Sequence, residues 1–192
     1  SLAAVTVNLA TNAGLGGDAE GDQYAAIENV TGSAGNDRLT GDAEVNVLVG
    51  GSGDDTLVGG AGADFLTGGL GSDTADYSAS GIAVTVSLQT GLGSGGEALG
   101  DNLSGIENLS GSSSADSLIG DSAGNLLAGN AGADTLVGGA GADTLDGGAD
   151  SDTVDYTTSG SGITVDLATG TGTGGDAASD TFIAIENVTG ST

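Results

Sequence analysis

The chain has 192 residues and carries 27 acidic side chains against a single basic one, Arg38, which gives a formal net charge of −26. A molecule this acidic repels a phosphate backbone, so nucleic acid is excluded as a partner. Forty glycines, no proline and few aromatic residues leave little material for a conventional globular core, and such a composition alone is typical of disorder. No cysteine is present to form a disulfide, and no apolar run of about eighteen residues predicts a membrane span.

The chain repeats itself at two scales, and the longer repeat is a module of 79 residues. The segments IENVTG, IENLSG and IENVTG end at Gly32, Gly111 and Gly190, a spacing of 79 residues in both cases (111 − 32 and 190 − 111). The sequence therefore predicts a partial module at 1–31 holding the end of a connector, module one at 32–110 (nonapeptides 32–76, connector 77–110), module two at 111–189 (nonapeptides 111–155, connector 156–189), and the start of a further module at 190–192. Because the chain starts without Met and stops within a motif, we expect it to be a piece of a longer protein.

The shorter repeat has nine residues, and residues 50–73 show it most clearly as GGSGDDTLV, GGAGADFLT and GGLGSD. The pattern is G-G-x-G-x-D-x-U-x, with aspartate sixth and an apolar residue, U, eighth. Five units open each module, and their eighth positions are Leu39, Leu48, Leu57, Leu66 and Ala75, then Leu118, Leu127, Leu136, Leu145 and Val154. A register this regular predicts one continuous apolar core.

Each position of the unit has a physical role. Glycine at positions one, two and four allows backbone angles that are unfavourable for other residues and lets the chain approach a ligand closely. The aspartate supplies an anionic oxygen, and the three residues after it form a short strand with one side chain turned inward. Two units make one turn of about eighteen residues, so strands should stack at roughly 4.8 Å in two parallel sheets. The predicted fold class is an all-β parallel β-roll, a solenoid whose stability grows with each neighbouring turn.

The nonapeptide resembles the calcium-binding repeat of the RTX (repeats-in-toxin, hemolysin-type) proteins. The resemblance implies a right-handed parallel β-roll, or β-helix, with Ca²⁺ ions between successive turns. The lower turn of each pair would offer the carbonyls of positions two and four plus its sixth side chain, and the upper turn the carbonyls of positions one and three plus its own, an all-oxygen set that suits Ca²⁺. The implied ligands are Ser33, Gly35, Asp37, Asn46, Gly50, Gly51, Ser52, Gly53, Asp55, Gly59, Ala61, Asp64, Gly68, Leu70 and Asp73 in module one, and Ser112, Ser114, Asp116, Asn125, Gly129, Asn130, Ala131, Gly132, Asp134, Gly138, Ala140, Asp143, Gly147, Ala149 and Asp152 in module two.

Aspartates eighteen residues apart should lie above one another on the same edge of the roll. One edge would carry Asp37, Asp55 and Asp73, and in the second module Asp116, Asp134 and Asp152; the other would carry Asn46 and Asp64, then Asn125 and Asp143. In the second unit of each module Asn stands where Asp belongs, and Glu44 or Ala123 stands where the fourth glycine belongs, so those ions should be weaker or missing. About six to eight ions are expected in all.

The connectors differ in sequence pattern from the nonapeptide arrays. The connector of module one should begin with a strand around Val84, Val86 and Leu88, run through a glycine-rich acidic loop at 91–101, and rejoin the roll at 106–109. Extending the nine-residue register backwards places Glu28 and Glu107 in the aspartate position, so the Ile-Glu-Asn triplet is interpreted as a degenerate first unit.

Catalysis is not expected within this chain. It has no His, Cys or Lys, so a serine triad, a thiolate nucleophile or a Schiff base cannot be assembled. The resemblance implies a secreted or cell-surface bacterial protein that leaves the cell by type I secretion and folds on Ca²⁺ outside it. Two contexts remain open: a structural segment of an adhesin, surface-layer or fibre protein, favoured by the regular 79-residue repeat, or an accessory module of a secreted enzyme whose catalytic domain lies elsewhere. Expected partners are calcium ions and neighbouring repeats, with lateral or end-to-end self-association.

Overall fold

The computed structural model describes residues 3–191, which form 21 short β-strands, three single-turn 3-10 helices and no α-helix. The strands are β1 (Thr6–Asn8), β2 (Ala13–Leu15), β3 (Asn29–Thr31), β4 (Arg38–Thr40), β5 (Val47–Ser52), β6 (Thr56–Val58), β7 (Phe65–Leu70), β8 (Thr74–Asp76), β9 (Thr85–Ser87), β10 (Leu92–Ser94), β11 (Asn102–Ser104), β12 (Asn108–Ser110), β13 (Ser117–Ile119), β14 (Leu126–Ala128), β15 (Thr135–Val137), β16 (Thr144–Asp146), β17 (Thr153–Asp155), β18 (Thr164–Asp166), β19 (Thr171–Thr173), β20 (Thr181–Ile183) and β21 (Asn187–Thr189). The 3-10 turns are Gly17–Ala19, Gly96–Ala98 and Gly175–Ala177. Within these residues no helix is long and apolar enough to cross a membrane.

The strand of each nonapeptide begins at position seven and turns position eight inward. In β15, for example, Leu136 is fully buried while its two neighbours are half-buried. Successive strands of one sheet pair in parallel at eighteen residues, so that Leu39 lies against Leu57 and Leu57 against Ala75. All ten eighth-position side chains are at most 1% exposed. Each buried leucine stabilises the fold by roughly 1.5–3 kcal/mol, and the ladder makes these contributions cooperative along the roll.

The strands form two sheets that face each other across this ladder. The 11-stranded sheet runs in the order β18-β19-β20-β16-β14-β12-β8-β6-β4-β1-β2, and the 10-stranded sheet in the order β21-β17-β15-β13-β9-β10-β11-β7-β5-β3. Within each nonapeptide array every pairing inside a sheet is parallel, and the chain crosses to the opposite sheet after each unit. The prediction of a parallel β-roll is confirmed.

The connectors are more ordered than the sequence predicted. The region 91–101 of the first connector was expected to be an acidic loop, but it contains the strand β10 and a 3-10 turn. Strand β10 pairs antiparallel with both β9 and β11, and these two pair in parallel with β13 and β7. A hairpin of this kind closes with a few residues, whereas a parallel connection would need a full crossover. The inward residue of β9 is Val86, which lies against Leu118, and Val84 just before the strand is buried in the same core.

Corresponding strands of the two modules therefore lie in opposite sheets. The strands that follow Asp37, Asp55 and Asp73 belong to the 11-stranded sheet. Their counterparts in module two, the strands that follow Asp116 and its successors, belong to the 10-stranded sheet. The expectation that both sets lie on one edge is wrong, because the chain crosses between the sheets an odd number of times from one module to the next.

Candidate calcium sites

The sixth-position side chains are stacked between successive turns by hydrogen bonds to the main chain. The Asp37 N–H donates to Asp55 Oδ1, and the Asp55 N–H donates to Asp73 Oδ1, each at 2.8 Å. The same bond joins Asn46 to Asp64, Asp116 to Asp134, Asp134 to Asp152 and Asn125 to Asp143. One oxygen of each upper carboxylate is thus fixed on the turn below, at the eighteen-residue spacing that the sequence indicates.

The second carboxylate oxygen divides the ten units into two classes. In six units this oxygen, Oδ2, is buried and has no hydrogen-bond partner among residues 3–191, and the six residues are Asp55, Asp64, Asp73, Asp134, Asp143 and Asp152. Burying an anionic oxygen without a partner is strongly unfavourable, and native proteins rarely do so. A bound cation would satisfy all six oxygens, so we name these units the open units.

The remaining four units satisfy their sixth side chain within their own turn. The N–H of Ser33 donates to Asp37 Oδ2, and that of Asp42 donates to Asn46 Oδ1 at 2.7 Å. Module two repeats this arrangement, from Ser112 to Asp116 and from Asp121 to Asn125. These self-capped units are the first and second of each module.

The residue at position two decides the class. In the open units its φ angle is positive, as in Gly51 at +118° and Gly69 at +121°, and the carboxylate Oδ2 accepts no hydrogen bond from the position-two N–H. Among the open units, that of Asp134 alone has a residue other than glycine at position two. This residue is Asn130, with a φ angle of +77°, and Asn tolerates left-handed angles better than most residues. The self-capped units have Ser or Asp at this position and keep ordinary angles. The second residue of each unit carried this signal in the sequence, whereas the predicted weakening of the sites rested on the Asn at position six and on Glu44 or Ala123 at position four.

Main-chain oxygens converge on the same places as the carboxylates. A Cβ built on Gly129 would collide with Asp134 Oδ2 and would lie 2.7 Å from the carbonyl oxygen of Gly147 in the turn above. At Gly111 the corresponding distances are 2.5 Å to Asp116 Oδ2 and 3.0 Å to the Gly129 carbonyl oxygen. The lower carboxylate and the upper position-one carbonyl therefore face one point, as the implied ligand pattern requires, and only glycine leaves that point free.

Other residues of the implied ligand set lie in the same turns but use their carbonyls for hydrogen bonds between turns. The Gly53 N–H donates to the Leu70 carbonyl at 2.8 Å, and the Ala149 N–H donates to the Asn130 carbonyl at 2.7 Å. Over the described range 3–191 no group of three or more His, Cys, Asp or Glu side chains comes together as a metal centre. The candidate sites thus depend on one or two carboxylates combined with main-chain oxygens.

Burial raises the pKa of the aspartate in every open unit. For Asp134 and Asp143 the pKa rises to about 6, with hydrogen bonds from the turn below opposing the shift and neighbouring carboxylates adding to it. Both aspartates are only 1% exposed. Near neutral pH these carboxylates are therefore charged at a cost, which a divalent cation would offset. The donor set, made only of oxygen atoms, fits Ca²⁺.

Connector residues continue the stack at the end of each array. Asp64 donates its N–H to Asp101 Oδ1 at 2.8 Å, and Asp73 donates its N–H to Glu107 Oε2 at 2.9 Å. The other oxygen of Asp101 accepts a hydrogen bond from the Tyr77 hydroxyl at 2.9 Å. Module two repeats all three contacts with Asp180, Glu186 and Tyr156. The nine-residue register indicated the position of Glu107 but not the roles of Asp101 and Tyr77, which are adjacent only in the folded connector.

Comparison with known proteins agrees with this geometry. The family model described as RTX calcium-binding nonapeptide repeat (4 copies) matches residues 25–44, 40–75 and 119–154, which lie within or overlap the nonapeptide arrays of both modules. A search of curated proteins finds no significant match. With its parallel roll, its stacked aspartates and these matches, the chain carries RTX calcium-binding nonapeptide repeats in both modules.

Proposed function

We propose that this chain is a calcium-dependent structural segment, in which each 79-residue module is a rigid spacer of a large secreted or cell-surface protein of the adhesin, surface-layer or fibre type. The observation that carries the proposal is the continuity of both sheets through the connectors. Strands β7, β11, β10, β9 and β13 are hydrogen-bonded in one unbroken series, and β8, β12 and β14 in the other. A flexible hinge between modules would interrupt these series.

Calcium supplies the condition for folding. With a net charge of −26 and six buried, unpartnered carboxylate oxygens within residues 3–191, the turns repel one another until cations neutralise them. Metal binding and folding are then one process, because the unfolded chain has no preformed site. We propose about six to eight ions for the chain. Such a segment stays unfolded in the low calcium of the cytosol, passes a type I secretion channel and folds outside the cell.

A structural role accounts for the residues better than a catalytic one. The stacked aspartates and the buried ladder use most of the polar and apolar groups that the turns provide, and His, Cys and Lys are absent from the sequence. The second context, an accessory module of a secreted enzyme, would place catalysis in another domain. The uninterrupted 79-residue spacing favours the spacer.

Small-angle X-ray scattering of the chain with calcium, with magnesium and with chelator tests the proposal. A rigid spacer gives the scattering of a rod of constant cross-section in calcium and of an expanded coil in chelator or magnesium. Two compact bodies joined by a flexible link in saturating calcium would contradict it. Sedimentation of the same calcium-loaded sample tests the lateral or end-to-end association of rods.

A further inference from the structure

We propose an additional calcium site at each module boundary, formed between the last nonapeptide of a module and the Ile-Glu-Asn segment of its connector. In module one its ligands are Asp73, the Gly105 carbonyl and Glu107; in module two they are Asp152, the Ala184 carbonyl and Glu186. The site lies outside the nonapeptide pattern, since glutamate replaces aspartate and the upper segment lacks the glycine pair. It rests on the proposed calcium dependence of the nonapeptide turns.

The lower ligand is a carboxylate oxygen that nothing in its described surroundings satisfies. Asp73 is 0% exposed, and its Oδ2 atom has no hydrogen-bond partner in the part of the chain that the structure describes. Asp152 is likewise 0% exposed, and its Oδ2 is one of the same six unpartnered oxygens. Each is the last sixth-position aspartate of its module, so the turn above it belongs to the connector.

The connector presents both an anionic and a carbonyl oxygen above this carboxylate. Glu107 accepts the Asp73 N–H with Oε2 at 2.9 Å, the role that Asp73 itself plays for Asp55. A Cβ built on Gly68 would lie 2.5 Å from Asp73 Oδ2 and would also collide with the Gly105 carbonyl oxygen. This convergence is the one seen at Gly129 within an array, with Gly105 replacing the position-one glycine of an upper turn.

The arrangement recurs one module later with a different residue. Ala184 replaces Gly105, yet its φ angle is +47° where that of Gly105 is +57°, so the backbone is kept in the left-handed region even without glycine. Its carbonyl oxygen and Asp152 Oδ2 again converge beside Gly147, and Glu186 accepts the Asp152 N–H at 2.9 Å. At each boundary a carboxylate oxygen and a main-chain carbonyl oxygen thus converge, and a second carboxylate accepts the N–H of the same aspartate; this all-oxygen set is the environment that Ca²⁺ prefers.

At the same boundary, the carboxylate above Asp64 has different hydrogen bonds from the carboxylate above Asp73. There Asp101 is stacked on Asp64, but its second oxygen already accepts the Tyr77 hydroxyl at 2.9 Å. Among the described residues, Glu107 accepts the Asp73 N–H and has no such tyrosine as a partner. The two sides of the boundary therefore differ in their upper carboxylate: Asp101 accepts hydrogen bonds with both oxygens, whereas Glu107 accepts the Asp73 N–H with Oε2.

Calcium counting with glutamine variants tests the proposal. Glu107→Gln and Glu186→Gln remove the negative charge but keep an oxygen that can accept the aspartate N–H, so the turn retains its stacking bond. The matched control is Glu28→Gln, in the same Ile-Glu-Asn context but exposed, beside strand β3 at the free edge of its sheet. Calcium-stripped wild type and variants are titrated with CaCl₂ by isothermal titration calorimetry, and far-UV circular dichroism follows the fold.

We expect each boundary variant to bind one ion fewer than wild type, the double variant two fewer, and Glu28→Gln the same number. Equal stoichiometry and affinity in wild type and the double variant would overturn the boundary site. If Glu107→Gln did not fold, Glu186→Gln decides alone, because Glu186 is exposed. Failure of wild type to bind calcium would instead refute the calcium dependence of the whole segment, which separates the two proposals.

Discussion

The division into open and self-capped units makes a sharp prediction for Gly51. Its φ angle is +118°, and Oδ2 of Asp55 in the same unit has no hydrogen-bond partner within the described residues. In Gly51→Ser the side chain disfavours this angle by about 1–2 kcal/mol, and a Cβ there would also lie 2.6 Å from the Ser33 carbonyl oxygen. The turn should convert to the geometry of the Ser33 unit, in which the position-two N–H caps the carboxylate.

This conversion competes directly with calcium. Because 1.4 kcal/mol corresponds to a factor of ten, a bias of about 1–2 kcal/mol lowers the affinity of the sites that share Asp55 by about 5- to 30-fold. Competition titration against a chromophoric chelator measures the change. The control is Gly81→Ser, where a Cβ meets no atom within 4 Å and φ is not in the left-handed region. Unchanged calcium binding in Gly51→Ser, or an equal loss in Gly81→Ser, would refute the role assigned to position two.

Three further predictions concern the carboxylates and the core. Asp55→Asn should weaken calcium binding at least about tenfold, because hydrogen bonds and contacts of a charged group contribute roughly 1.5–3 kcal/mol. Asp146→Asn, at an outward ninth position, should have little effect in the same chelator titration, and equal effects of the two variants would contradict the stacking of the aspartates. Leu57→Asp should lower the free energy of unfolding, even in saturating calcium, by more than the ~2–5 kcal/mol of a leucine-to-alanine change, because it places a charge in the dry leucine ladder. An unchanged melting temperature would exclude the ladder as the core. In chelator, lowering the pH from 7.5 to 4.5 should favour folding of the calcium-free chain, seen as a gain of β-structure by far-UV circular dichroism, because the folded-state pKa values of about 6 for Asp134 and Asp143 lie above the ordinary aspartate value. Their stabilisation is present at low pH and is lost as the pH rises through 6, so less β-structure at pH 4.5 than at pH 7.5 would refute this assignment.

The sequence was sufficient for the parts of the fold that depend on a strict period. Because the chain crosses to the opposite sheet after every nine residues, the eighth side chain of each unit, such as Leu57, is buried between the sheets. The eighteen-residue pairing of Asp55 with Asp73 follows from two units per turn. The core and the stacking order of the carboxylates were therefore predictable from the spacing together with the two units per turn that the RTX resemblance implies.

The connectors were not predictable in the same way, because their contacts are not periodic. Tyr77 meets Asp101 across 24 residues, and β9 reaches β13 only after an antiparallel detour through β10. A nine-residue count cannot represent a hairpin, so it gave no sign of strand β10. The class of each turn depends on one φ angle, which the sequence indicated only through the residue at position two.

The central claim is that the open carboxylates hold calcium and that the roll depends on it. Far-UV circular dichroism of the chain during a calcium titration, with magnesium as the control, tests this claim most directly. We predict a cooperative transition from coil to β-structure driven by calcium and not by magnesium. A spectrum already rich in β-structure in chelator and unaltered by calcium would contradict the claim, because the leucine ladder would then suffice without the ions.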